Sequence, residues 1–303
     1  MKRKEFIRDS IALGAGLAFA PSLLKSCTSK STSLTILHTN DMHSRIEPFP
    51  SNAGRNAGLG GMARRATLIK QIRAETENVL LLDSGDIFQG TPYFNFFGGE
   101  LEFKLMSQMG YDVATLGNHD FDNGLVGLEK MLPNANFSFV NANYDFSKTI
   151  LKDRFKPYKI IDKGDIKVGV FGLGIELKGL VPDKLYAETQ YNEPISVAKE
   201  IVAELQTQNC DYIICLSHLG FKNDSEKVDD HKLAESVNGI DLILGGHTHT
   251  FLNEPIVYEN VQGHKTIINQ VGWAGINLGR IDVNFGPTGA QNFASKVMPV
   301  SFA

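Results

Sequence analysis

The stretch Leu34-Thr35-Ile36-Leu37-His38-Thr39-Asn40-Asp41-Met42-His43 joins a hydrophobic run to a group of possible metal ligands. Its first six residues are mostly aliphatic or β-branched, which favours a β-strand. Asp41 and His43 follow at once and are two residues apart. In extended backbone, residues at this spacing point to the same face. We therefore predict a strand that ends at a polar, metal-binding site.

The same arrangement recurs after four further hydrophobic runs. The segments that follow these runs are Asp83-Ser84-Gly85-Asp86, Gly117-Asn118-His119-Asp120-Phe121-Asp122, His218 and Gly245-Gly246-His247-Thr248-His249. Ligands of open α/β sheets bind beyond the carboxyl ends of the strands. We expect the five loops to meet at one edge, where their glycines allow sharp turns and keep Cβ atoms out of the site.

The hydrophobic pattern predicts an α/β fold. Nearly continuous apolar runs, typical of strands covered on both faces, predict strands at residues 34–39, 79–83, 112–116, 137–141, 166–171, 211–217 and 240–244. Helical spacing of apolar residues occurs at 62–77, 101–109, 195–208 and 232–237. Two more strands, at 265–270 and 278–285, have no helix between them, which indicates a mixed or two-sheet arrangement.

Composition narrows the class of protein. The 303 residues are 42% hydrophobic and 21% charged, with a formal net charge of −4. These values argue against wholesale disorder, and the chain lacks the basic excess typical of proteins that bind nucleic-acid polymers. Three cysteines exclude a disulfide scaffold. Cys210 and Cys215 cannot pair along one strand, so we interpret them as buried thiols.

Residues 1–33 have the features of an export segment rather than of the fold. A basic start precedes a ten-residue apolar run, residues 11–20, which is too short to span a bilayer. Arg3-Lys4 resembles a twin-arginine signal with Lys at the second position, and Leu24-Lys25-Ser26-Cys27 resembles a bacterial lipobox. We expect export to a periplasm, a lipid on Cys27 and a polar tether at 26–33. Cleavage and release, or a buried N-terminal helix, are the alternatives. One domain is predicted at 34–303.

Seven side chains are candidate metal ligands: Asp41, His43, Asp86, Asn118, His218, His247 and His249. One tetrahedral ion takes four ligands, whereas two ions about 3.5–4 Å apart accommodate all seven. Imidazole and carboxylate donors without thiolate suit Zn, Mn, Fe or Co. Each residue alone also has a structural explanation, such as a helix N-cap for Asp86 or a turn for Asn118. Their joint occurrence after five strands favours a metal site.

The ordered motifs resemble those of the calcineurin-like metallophosphoesterases. The fuller wording of residues 37–43, 85–92 and 117–122 is similar to the bacterial periplasmic 5′-nucleotidase branch. The resemblance implies a four-layer αββα sandwich of two mixed sheets flanked by helices. It also implies two divalent ions, one held by Asp41, His43, Asp86 and His249 and the other by Asp86, Asn118, His218 and His247. Family members often have Gln in place of His249, a departure that bears on metal preference.

The resemblance further implies hydrolysis of phosphate monoesters, above all 5′-nucleotides, by in-line attack of a hydroxide generated at the metals. His119 and Asn118 are the expected substrate-binding residues. His119 would stabilise the transition state or protonate the leaving oxygen. Asp122, three residues on, would bond its other ring nitrogen and favour the imidazolium form.

Three other functions remain open: cleavage of phosphodiesters or nucleotide sugars, release of sulfate from thiosulfate carriers, and metal-dependent binding by a lipoprotein without catalysis. The resembled nucleotidases usually have a C-terminal nucleotide-binding domain, which we expect to be absent here. A separately encoded partner would then supply the substrate pocket. We expect contact with a membrane only through the N-terminal anchor.

Overall fold

The structure is a computed structural model that describes residues 32–287 and 289–301. The predicted export signal, the lipobox at Cys27 and the tether up to residue 31 lie outside the described residues. The first strand begins at Thr32, two residues earlier than predicted, because Thr32 and Ser33 pair with Phe285 and Asn284. Within the described part of the chain, no helix is both long and apolar enough to cross a bilayer.

Fourteen strands and seven α-helices alternate over most of the described chain. The strands are β1 (Thr32–Thr39), β2 (Val79–Asp83), β3 (Val113–Ala114), β4 (Ser138–Phe139), β5 (Tyr144–Asp145), β6 (Tyr158–Lys163), β7 (Ile166–Gly174), β8 (Gln190–Tyr191), β9 (Tyr212–His218), β10 (Leu242–Leu244), β11 (Ile256–Glu259), β12 (Lys265–Asn269), β13 (Asn277–Gly286) and β14 (Gly289–Pro299). The helices are α1 (Met62–Glu75), α2 (Pro92–Phe97), α3 (Glu100–Met109), α4 (Gly124–Met131), α5 (Asp183–Tyr186), α6 (Pro194–Thr207) and α7 (Asp230–Ser236).

Two six-stranded sheets organise the domain. The first sheet has the order β14-β13-β1-β2-β3-β4, and the second has the order β11-β12-β10-β9-β7-β6. β1 to β4 run parallel, as do β7, β9, β10 and β12. Antiparallel pairing occurs at one edge of the first sheet, through β13 and β14, and at both edges of the second, through β11 and β6. Both sheets are therefore mixed.

Alternating side chains of the central strands separate the layers. In β9, Tyr212, Ile214 and Leu216 face the core between the sheets, whereas Ile213 and Cys215 face the core beneath α6 and α7. A third core lies between the first sheet and helices α1, α3 and α4. This succession of helices, sheet, sheet and helices is the predicted αββα sandwich, so the predicted fold class is confirmed.

The strands that the sequence pattern missed are mainly at the edges. β6, β11 and β14 were not predicted, and their exposed or half-buried residues explain why the apolar signal was weak. β12 and β13, predicted without a helix between them, belong to different sheets. Cys215 is buried as predicted, whereas Cys210 is only half-buried.

Candidate metal centre

Loops from both sheets bring the predicted ligands together. The donors form two groups, and within each group the ligand atoms lie no more than 4.8 Å from one another. The first cluster consists of Asp41, His43 and His249, and the second cluster consists of Asp86, His218 and His247. These six are the carboxylates and histidines of the predicted ligand set.

Asp86 belongs to the second cluster and also lies within reach of the first. Its Oδ2 atom is 3.1 Å from Nε2 of His218 and 3.9 Å from Nε2 of His43. The Asp86 side chain is buried, so its carboxylate meets both imidazoles in a region shielded from bulk water. A carboxylate within reach of both sets of imidazoles has the geometry of a bridging ligand.

Asn118 joins the second cluster. Its Oδ1 atom is 2.9 Å from Nδ1 of His247. The opposite carboxylate, Asp41, lies 3.4 Å from Nε2 of His249 across the first cluster. Asn40 donates to Asp41 at 2.6 Å, and the His247 backbone N–H does so at 3.0 Å. The structure thus brings all seven predicted ligands to one edge.

Backbone carbonyls orient two of the imidazoles. Nδ1 of His43 donates to the Phe88 carbonyl at 3.3 Å, and Nδ1 of His218 donates to that of Ser84 at 2.7 Å. Donation from Nδ1 leaves the lone pair on Nε2, the form that ligates metal. The buried Nε2 of His218 lies 3.1 Å from Oδ2 of Asp86 but has no partner with hydrogen-bond geometry among the described residues. The donors therefore fit two divalent metal ions.

The electrostatics of the centre favour positive charge. Burial alone would lower the pKa of His218, but the Asp86 carboxylate, together with Asp41 and the Ser84 carbonyl, raises that pKa to about 10. Burial alone would raise the pKa of Asp86, but the neighbouring imidazoles hold it below its usual range. The negative potential that raises the pKa of His218 also attracts a metal cation.

The ligands sit on unusual backbone. Asp41, His43, Asp86, His247 and His249 all have φ between 47° and 69°. Non-glycine residues rarely adopt this left-handed region, which costs about 1–3 kcal/mol per residue. Such conformations concentrate at functional sites, where the surrounding structure enforces them.

Asp120 is a supporting residue to which sequence reasoning gave no role. Its buried carboxylate accepts hydrogen bonds from four backbone N–H groups at 2.8–3.2 Å, those of Asp86, Ile87, Phe88 and Gly117. Asp120 therefore locks the loop that presents Asp86 to the loop that presents Asn118. Its position inside the Gly-Asn-His-Asp motif was the signal that could have identified it.

His119 and Asp122 form a pair at the rim. Nδ1 of His119 lies 2.8 Å from Oδ2 of Asp122, and this hydrogen bond raises the pKa of His119. The His119 backbone N–H donates to Oδ1 of Asp86 at 2.8 Å. The His119 ring lies 5.2 Å from that of His43. The pair is partly exposed and lies beside both clusters.

Two glycines leave space that the ligands occupy. A Cβ at Gly117 would lie 2.2 Å from Oδ1 of Asp86, and one at Gly246 would lie 2.8 Å from Nδ1 of His218. Both separations are far below van der Waals contact. The predicted role of these glycines agrees with the geometry.

Comparisons with known proteins agree with this centre. The family model for calcineurin-like phosphoesterase matches residues 34–251. Snake venom 5′-nucleotidase from Gloydius brevicauda is 37% identical over 285 residues, which cover 87% of this chain and 47% of that protein. The 5′-nucleotidase of Rattus norvegicus is 34% identical, covering 86% and 48%. The chain spans about half the length of these curated relatives.

Solved structures similar to this chain include two further nucleotidases. The 5′-nucleotidase precursor from Thermus thermophilus is 32% identical with a TM-score of 0.80, and the match covers 89% of this chain and 55% of that one. The NAD nucleotidase of Haemophilus influenzae is 28% identical with a TM-score of 0.77, covering 89% and 57%.

Replacement of the shared carboxylate tests the centre. We expect Asp86→Ala to bind both ions far more weakly than the wild type, because the Asp86 carboxylate lies within reach of histidines from both clusters. Elemental analysis of protein equilibrated with metal measures the stoichiometry. Asp165→Ala, an exposed acid in the turn between β6 and β7, is the control and should retain both ions. An Asp86→Ala protein with unchanged stoichiometry would contradict the bridging role.

Proposed function

Since the chain belongs to the calcineurin-like phosphoesterase family, we propose that it hydrolyses phosphate monoesters, most readily 5′-nucleotides. The observation that carries this proposal is the pair of donor clusters with Asp86 between them. Two divalent ions there would activate water and offset the charge of a phosphoryl group. Relatives named as 5′-nucleotidases support the substrate class.

The seven ligands would divide between the two ions. Asp41, His43 and His249 would hold the first ion, and His218, His247 and Asn118 would hold the second. Asp86 would contact both. The Nδ1–H bonds of His43 and His218 would keep their rings aimed inward throughout turnover.

His119 would act on the substrate rather than on a metal. With Nδ1 bonded to Asp122, its Nε2 remains available to a phosphate oxygen. We propose that His119, with Asn118 beside it, binds the phosphate and protonates the leaving oxygen. Asp122 would hold the ring in position and favour its protonated form. The partial exposure of the pair supports this role.

Removal of the imidazole separates catalysis from metal binding. We expect His119→Ala to lower kcat by about 10²–10⁴-fold, the range for loss of a general acid. Its metal content should stay at the wild-type value. Asp122→Asn should act in the same direction but less strongly, because the ring remains. Loss of metal together with the His119 side chain would show that His119 is a ligand.

Recognition of the nucleoside would come in part from protein outside this domain. The curated relatives extend well beyond the part that this chain matches. We propose that a region equivalent to their remaining half completes the pocket.

A substrate screen tests both the reaction and this division of labour. We expect p-nitrophenyl phosphate and AMP to be hydrolysed and bis-p-nitrophenyl phosphate to be a poor substrate, with Zn, Mn, Fe or Co added. KM for AMP should be close to that for p-nitrophenyl phosphate, since this domain alone would grip mainly the phosphate. Faster diester cleavage would favour the phosphodiesterase alternative, and a micromolar KM for AMP would argue against a partner.

We also propose that the protein is exported to a periplasm and anchored through Cys27. The support is the basic and then apolar N-terminus and the lipobox-like Leu24-Lys25-Ser26-Cys27. In a bacterial host, the wild type should fractionate with membranes and Cys27→Ser should become soluble. Mass spectrometry should find an acylated cysteine at the mature N-terminus. An unmodified wild-type chain in the soluble fraction would contradict the anchor.

A further inference from the structure

Trp273, the single tryptophan of the chain, lies flat against a predicted metal ligand. Its ring stacks on that of His249, with centroids 5.6 Å apart and planes inclined by 8°. The Trp273 ring also approaches His43 edge-on, with centroids 6.4 Å apart. An aromatic surface therefore borders the first cluster on the side of its more exposed imidazole.

His249 differs from the other imidazoles of the centre in how it is held. His43 and His218 each donate Nδ1–H to a backbone carbonyl. In the described part of the chain, Nδ1 of His249 has no such carbonyl partner. The His249 side chain is also 39% exposed, compared with 8% for His43. A metal-ligating imidazole needs a neighbour that sets its orientation, and the neighbour of His249 is Trp273.

Trp273 is itself fixed from two sides. The backbone N–H of the next residue, Ala274, donates to the Asp41 carbonyl at 2.7 Å, which ties this loop to the first cluster. Phe49 meets the Trp273 ring in a T-shaped contact at 5.7 Å. The Arg45 guanidinium covers Phe49 at 4.3 Å from the ring centroid. The contacts run without a break from Arg45 through Phe49 and Trp273 to His249. We call these four side chains the rim stack.

We propose that Trp273 is a positioning residue that keeps Nε2 of His249 directed into the first cluster. Stacking restricts rotation of the imidazole, as hydrogen bonds to carbonyls do for His43 and His218. Nε2 of His249 lies 3.4 Å from Asp41 and 2.9 Å from Nε2 of His43. The rim stack does not include a ligand of the second cluster. The two ions should therefore depend on Trp273 unequally.

Metal binding tests this inference without use of catalysis. Metal-free wild type, Trp273→Ala and Trp273→Phe are titrated with Zn²⁺ against a competing chelator. We expect Trp273→Ala to weaken one of two sites about tenfold, the low end for residues that orient a ligating imidazole, and to leave the other site unchanged. Trp273→Phe keeps a stacking ring and should retain most of the affinity. Phe96→Ala, which removes a ring that is 81% exposed, should bind both ions normally.

The lone tryptophan also supplies a spectroscopic readout. Wild-type fluorescence should change as the first cluster fills, because the ring beside Trp273 becomes metal-bound. In His249→Ala this change should disappear although the second ion still binds. Invariant fluorescence across a titration that fills both sites would overturn the proposal.

The binding data separate two kinds of failure, since the inference rests on the two-metal centre of the proposed function. If the wild type binds two ions and Trp273→Ala weakens both sites equally, or weakens neither, the positioning role alone is overturned. Wild type without metal affinity overturns the centre and the positioning role together. Retained affinity at the second site in Trp273→Ala shows that the variant is folded.

Discussion

The carboxylate of Asp86 lies buried between imidazoles of two clusters, and much of the surrounding structure serves to hold it there. A buried carboxylate is costly unless positive charge or hydrogen-bond donors compensate it. Here His218 lies at 3.1 Å, and the His119 backbone N–H donates to the other oxygen. Asp120 fixes the backbone of Asp86, of the two residues after it and of Gly117 through four hydrogen bonds. Two divalent ions would complete this compensation.

Each cluster takes donors from both sheets, so the packing of one sheet on the other sets the metal geometry. Asp41 and His43 follow β1 of the first sheet, whereas His249 follows β10 of the second. In the second cluster, Asp86 follows β2 of the first sheet, His218 is the last residue of β9 and His247 follows β10. The core between the sheets is close-packed with fully buried aliphatic side chains. Close packing resists small displacements. This rigidity keeps the donors of the first sheet at fixed distances from those of the second.

The loops carry strain that this scaffold offsets. Five ligands occupy left-handed backbone, which an isolated loop of the same sequence would avoid. Bonds between loops oppose the strain: Asp41 N–H donates to Gly85 O at 2.9 Å, and His43 N–H donates to Asp86 O at 3.0 Å. The aromatic rim stack reinforces the first cluster from outside. Preorganisation of this kind keeps the donors close together before a cation arrives.

Sequence alone determined the α/β class, the strand ends that carry polar side chains and the seven candidate donors. Those features depend on local patterns: an apolar run has a strand's composition, and a histidine or aspartate just after it occupies the functional edge of a parallel sheet. The sequence pattern did not predict the edge strands β6, β11 and β14, because half-exposed strands have a weak apolar signal.

Only the tertiary structure decided which donors share a cluster, which nitrogen of each imidazole faces inward, and which residues support them. Asp120 and Trp273 lie 34 and 24 residues from the ligands they contact, Asp86 and His249. No local pattern records contacts of that range, because they arise where strands pair side by side within a sheet. Asp86 and Asp120 follow the neighbouring strands β2 and β3, and His249 and Trp273 follow the neighbouring strands β10 and β12.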